Sequence, residues 1–267
     1  MQISLTQTLL TAILERPSLE HIQLRLGTDN TPKPFFHPTL EFRQPINVKV
    51  MRFVQVNDPE VLRSVSLAIL RAIHLQELGI EADEDVGLSL DSLLASCNGR
   101  TVFQLRSLDL RGFLALGTTS RSFWNTLRPS KLRDLSLHFG RTAQMTECLD
   151  LWDESIKAGL RPRRLSSNLA LPGLKEFLLS FTGLEVFIIT PPSPSPFIEP
   201  LTPLLQALHE KHSATIKALA IDPDGNSADY TLGLNAIEKL GAAFPEIEEL
   251  RFGLVKPSLV SKSFANF

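Results

Sequence analysis

The chain has 267 residues, 43% of them hydrophobic and 21% charged, enough apolar material to bury one sizeable core. Its 27 Lys and Arg against 29 Asp and Glu leave a formal charge of -2, which excludes the basic surface that general binding to nucleic acid or anionic membranes requires. Two cysteines, Cys97 and Cys148, are too few for a disulfide framework and have no metal-ligand spacing around them, so neither a metal nor a cofactor is expected.

In chain order, the opening segment puts Ile3, Leu5, Leu9, Leu10, Ile13 and Leu14 on one helical face and lacks the basic start of a secretory signal. No stretch reaches the roughly 18 apolar residues of a membrane span, and the expected location is the cytoplasm or nucleus. "LEHIQL" from Leu19 introduces a pattern of leucine, two intervening residues, an apolar residue, one intervening residue and a third apolar residue. "GTDNTPKPFFHPTLEFRQPI", Gly27 to Ile46, carries too many prolines for a helix. Its Phe35, Phe36 and Phe42 either contact a partner or cap the apolar edge of the early units. "DPEVLRSVSLAILRAI" reads as a helix with Asp58 as N-cap and Pro59 at the first helical position.

The pattern returns at "LQELGI" from Leu75, "LRSLDL" from Leu105, "LRDLSL" from Leu132, "LEVFII" from Leu184, "IKALAI" from Ile216 and "IEELRF" from Ile247. Between these matches "LPGLKEFLLSF", "PLTPLLQALHEKH" and "LNAIEKLGAAF" have helical spacing, while "PPSPSPFIEP" is a stiff connector with two Ser-Pro sites, Ser193 and Ser195. Successive starts lie 56, 30, 27, 52, 32 and 31 residues apart, so a weak copy is expected inside each long gap. "MRFVQV" from Met51 and "LRPRRL" from Leu160 are the candidates. The second puts Arg163 where an apolar residue belongs, which requires a register slip or a carboxylate partner.

A near-constant period of this size marks a solenoid of one supersecondary unit per repeat. In a short strand alternate side chains share a face, so the fourth and sixth motif residues enter the core while the fifth and seventh face out. The expectation is an α/β chain: a single domain over 1–267 of eight or nine irregular repeats, each a strand followed by a helix.

The seven motifs, from Leu19 to Phe252, resemble leucine-rich repeat proteins, specifically the ribonuclease-inhibitor-like type and F-box proteins with leucine-rich repeats, with a fungal-looking irregularity. That resemblance implies a curved parallel sheet on the concave side and helices on the convex side. It also implies a partner surface like the substrate-recognition domain of an F-box ubiquitin-ligase adaptor, with ubiquitin-ligase components as candidate partners. Two departures stand out. The repeats begin by Leu19, leaving no room in this chain for a preceding F-box, and Phe113 and Gly140 stand where the family often places Asn or Cys.

The outward positions give one column of Gln23, Gly79, Asp109, Ser136, Ile188, Ala220 and Arg251 and a second of Arg25, Glu81, Arg111, His138, Thr190, Asp222 and Gly253. Asp109, Arg111, Ser136 and His138 fall on adjacent strands and form the centre of the candidate partner-binding surface, with Arg25 and Glu81 on the same face. Residues 100 to 164 hold 12 basic against 6 acidic side chains, and residues 222 to 250 hold 7 acidic against Lys239 alone, an asymmetry that can steer a charged partner.

Catalytic motifs fail on chemistry. "GFLALGTTS" has no lysine to meet outer phosphates. "DPDGNSADYTLG" has Ser227 and Gly233 where a calcium loop needs glycine and glutamate. "HEKH" sets His209 and His212 three apart, not the four of a zinc protease, and reads as a solvated helix end. The function expected is therefore a non-enzymatic, monomeric interaction module for a protein partner. The competing classes are an enzyme with a site on an insertion loop and a scaffold with no ubiquitin role.

Overall fold

Inward alternation of the fourth and sixth motif residues makes each motif a short strand, and nine of them follow one another. A computed structural model of the chain describes residues 16, 18–26, 47–83, 87–90, 93, 105–113, 120–127, 131–140, 148–190, 200–221 and 240–252. The strands are β1 (His21–Arg25), β2 (Val50–Val56), β3 (Glu77–Ala82), β4 (Ser107–Phe113), β5 (Asp134–Phe139), β6 (Arg164–Ser167), β7 (Val186–Ile189), β8 (Ala218–Ile221) and β9 (Glu249–Phe252). They form one open sheet in chain order, every neighbouring pair parallel. The α/β architecture is compatible with a repeat solenoid.

Helices alternate with the strands: α1 (Pro59–Arg71), α2 (Ser120–Leu127), α3 (Leu151–Lys157), α4 (Leu174–Leu179) and α5 (Leu201–His212). Asp58 caps α1 as expected, its Oδ1 accepting the Glu60 N–H at 2.7 Å, with Pro59 opening the helix. Val65, Trp124, Leu151, Leu174 and Leu204 from the helices join the inward strand residues in one apolar core. The fourth and sixth positions are buried throughout β2 to β8 and half-buried in part at the edge strands β1 and β9.

Two registers differ from the sequence reading. Met51 pairs with Leu78, so it is the fourth residue of its unit, and the first is fully buried Val48, three residues upstream of the expected start. Leu165 pairs with Leu135, so the sixth unit starts at buried Pro162, not Leu160. The slip and the carboxylate both operate at Arg163: it leaves the core position and pairs with Glu185 at 3.2 Å. The nine unit starts are Leu19, Val48, Leu75, Leu105, Leu132, Pro162, Leu184, Ile216 and Ile247, a period of 22 to 32 residues.

The leading rim of the sheet follows one rule. The carbonyl of the second residue of each unit accepts two amides from the next: Gln76 O takes Arg106 and Ser107, Arg106 O takes Arg133 and Asp134, and Arg133 O takes Arg163 and Arg164. The same double acceptance runs from Glu20 to Lys217. The trailing ends are irregular. Gln55 (φ 58°) bulges out of β2, and Gly112 (φ 76°) out of β4, where a Cβ would stand 2.1 Å from the Ala82 carbonyl oxygen. Only glycine fits that approach.

Polar side chains bind successive units inside the core. Trp124 Nε1 donates to Leu151 O at 3.3 Å and Trp152 Nε1 to Leu169 O at 3.0 Å. His212, expected at a solvated helix end, is fully buried: its Nδ1 accepts the Leu184 N–H and its Nε2 donates to Leu178 O at 2.9 Å. The bond from Leu184 needs the neutral ring, and burial holds its pKa below the ordinary histidine value, with the Leu178 bond opposing. A further tie comes from Asn168, the seventh residue of the sixth unit. Its side chain accepts the Phe139 N–H at 2.9 Å and donates to Phe139 O at 2.6 Å, clasping β5 to β6.

The expected N-terminal helix, Cys97, the loop from Gly27 to Ile46, the 191–199 part of the proline-rich connector, and residues 222–239 lie outside the described residues. Cys148 is fully buried. Among the described residues no helix is long and apolar enough to cross a membrane.

Candidate functional site

Because the fourth and sixth positions are taken by the core, the fifth and seventh positions of consecutive strands stack on the opposite, open face. Direct pairing places Gly79, Asp109, Ser136 and Ser166 in one row and Glu81, Arg111 and His138 in the next. Neighbours in a row are about 4.8 Å apart, so the expected quartet of Asp109, Arg111, Ser136 and His138 forms one patch.

Arg111 Nε donates to Asp109 Oδ1 at 2.9 Å along the same strand. That bond raises the Arg111 pKa, and the nearby charges of Asp109 and Glu81 add to it. Next door, His138 Nε2 and Ser166 Oγ share a hydrogen bond of 2.8 Å. Burial, then the Arg111 charge, push the His138 pKa down to about 4, with Asp109 opposing. The imidazole is therefore neutral at neutral pH. Between these pairs Ser136 Oγ is buried and, among the described residues, has no hydrogen-bond partner.

Of the six residues expected on the surface, Glu81, Asp109, Arg111, Ser136 and His138 come together. Arg25 does not join them: it lies on β1, three strands from β4, with its Nε bonded to Gln55 Oε1. Asp222 and Gly253 of the second column lie outside the described residues. Two residues of the first row, the fifth positions, were missed. Arg52 fills the β2 place in the Asp109 row, its Cγ lying 3.3 Å from where a Cβ on Gly79 would stand. Ser166 completes the histidine pair. Both fall in the two units whose starts were misjudged, and the paired register with Leu78 and Leu135 is the signal that recovers them.

A serine bonded to a neutral histidine makes two of the three members of a nucleophilic triad, but Asp109 gives its carboxylate to Arg111, and Ser166 is the only hydrogen-bond partner of His138 among the described residues. The chemistry suits recognition: remaining guanidinium N–H groups, an unused hydroxyl and the carboxylates of Glu81 and Asp109, gathered from three adjacent strands. Among the described residues no three His, Cys, Asp or Glu side chains gather as a metal set. No protein family matches the chain, and no curated protein matches it either.

Proposed function

We propose that the chain is a leucine-rich repeat solenoid that captures a protein partner on its open face, in the manner of the substrate-recognition domains of F-box proteins, and carries out no chemistry itself. The observation that supports this reading is the buried Ser136 hydroxyl, without a partner among the described residues and set between the Asp109–Arg111 and His138–Ser166 pairs. Leaving a buried polar group unpaired costs about 1–3 kcal/mol, a loss that a polar group from a partner recovers on binding. Interface arginines are frequent hot spots, whose removal costs about 2 kcal/mol or more.

The test is affinity capture with the intact chain, comparing wild type, Arg111→Glu and Arg121→Glu, the last an exposed position on α2 among the helices. The expected result is loss of the same set of partners with Arg111→Glu alone. Equal recovery by both variants would move the binding site off this patch. Enrichment of ubiquitin-ligase subunits in the wild-type capture is the result expected of an adaptor, and a partner set without them assigns a scaffold role instead.

A further inference from the structure

The leading rim of the sheet carries a feature that the open-face patch does not use. The second residues of units four, five and six are all arginine: Arg106, Arg133 and Arg163. They are stacked by direct backbone bonds, Arg133 N to Arg106 O at 2.8 Å and Arg163 N to Arg133 O at 2.7 Å. All three are exposed, as are Arg161 and Arg164 beside them.

Within the chain this row is under-compensated. Arg163 reaches Glu185 at 3.2 Å and Arg164 lies 3.9 Å from Asp134, whereas Arg106 and Arg133 have no ion-pair partner among the described residues. Like charges on adjacent strands oppose pairing, and here three cations share one register about 4.8 Å apart. The rim continues to Glu185, Lys217 and Glu248, so the run of one sign is confined to β4–β6.

We propose that this arginine row is a docking strip for an acidic, extended segment of a partner protein. Guanidinium forks match carboxylates in two-point geometry, and the double hydrogen bonds at each carbonyl of the rim fix their spacing before binding. A carboxylate-bearing peptide is favoured over nucleic acid because the guanidinium forks match planar carboxylates and, among the described residues, no aromatic side chain is interleaved among Arg106, Arg133 and Arg163 for bases to stack on.

Fluorescence anisotropy with a labelled decaglutamate peptide, read against a single-stranded decathymidine of equal length, tests the assignment. The expected result is peptide binding that weakens with added salt, falls tenfold or more in the Arg106→Glu/Arg133→Glu double variant, and is unchanged in Arg111→Glu and Arg121→Glu. An intermediate loss in Arg106→Lys/Arg133→Lys supports two-point recognition over simple charge. Far-UV circular dichroism establishes that each variant is folded. Unchanged peptide affinity in the double glutamate variant overturns the proposal. So does tighter binding of the oligonucleotide than of the peptide, which would make the strip a phosphate site. Salt-sensitive self-association removed by the same double variant would also overturn it, giving the strip to a second copy of this chain. Because Arg111→Glu keeps the strip intact, failure here and failure of the open-face patch are read separately.

Discussion

Strands β3–β5 and strands β7–β8 belong to one sheet, share one register and bury equivalent residues, yet they present opposite chemistry on the open face. Outward from β3–β5 stand Glu77, Glu81, Asp109, Arg111, Asp134, Ser136 and His138. Outward from β7–β8 stand Val186, Ile188, Ala218 and Ala220, half-buried or buried. The inward residues, Leu108 and Leu135 in one region and Phe187 and Leu219 in the other, are equally buried. In this architecture the inward positions determine the fold, and the outward ones are released to carry polar recognition in one stretch and an apolar floor in another.

The sharpest way to break that comparison is to charge an inward position in each region. Leu135→Asp and Leu219→Asp are both expected to lose on the order of 4 kcal/mol or more, enough to unfold the array, measured by thermal and urea denaturation. A folded, unshifted variant at either position would show that the two regions do not share one core register.

Acid comes next. His138 titrates at about 4 when folded, and His212 below its ordinary 6.5, in both cases chiefly because burial disfavours the charged ring. The unfolded chain therefore takes up protons first as pH falls. The stability that neutral imidazoles contribute is complete above about pH 6.5 and is lost as pH falls toward 4, with His138 accounting for on the order of 2–3 kcal/mol. Urea titrations at pH 7 and pH 4.5 measure the loss, and His138→Gln should shrink it.

His212→Leu sharpens the contrast from the C-terminal side. It leaves the Leu184 amide and the Leu178 carbonyl without their bonds and should cost about 2 kcal/mol. The smallest effects are expected on the open face, where Arg111→Gln and Ile188→Thr should each change stability by less than about 1 kcal/mol. A larger loss at either would show that the outward residues also hold the fold.

Much of the architecture could be read from the sequence because each ordinary unit spends three apolar residues on fixed positions, and that spacing survives almost any sequence between. It failed where the apolar code was replaced. Val48 was hidden because "VKVMRFVQV" fits the spacing twice, as Val48, Met51 and Phe53 and as Met51, Val54 and Val56, so that spacing alone picks Met51 as readily as Val48. Pro162 was hidden because the sixth unit buries a proline, a leucine and Ser167 in place of three aliphatic residues. Ser167 can stand there because its Oγ donates to Leu137 O at 3.0 Å and accepts the Leu169 N–H at 2.9 Å. The same misplacement conceals the place of Asn168: counted from Leu160 it is the ninth residue, three after Leu165, whereas in the paired register it is the seventh. His212 was misjudged because helical periodicity marks a face, not the depth at which a neighbouring unit covers it.

The contrast between the two rims of the sheet has a mechanical meaning. Along the leading rim every junction from β1 to β9 is stitched by a carbonyl that holds two amides, while along the trailing rim the bulges at Gln55 and Gly112 break the even spacing. A sheet so bound behaves like a book: the spine resists stretching and the pages fan. Thermal flexing of the array should open and close the trailing edge, where Glu81, Arg111 and His138 sit, and leave the arginines of the spine at constant spacing. Amide hydrogen exchange should accordingly be slowest at Arg133 and Arg163 and faster at the bulges of Gln55 and Gly112, with Phe139 held back by the Asn168 clasp. The molecule thus pairs a fixed ruler on one rim with an adjustable jaw on the other.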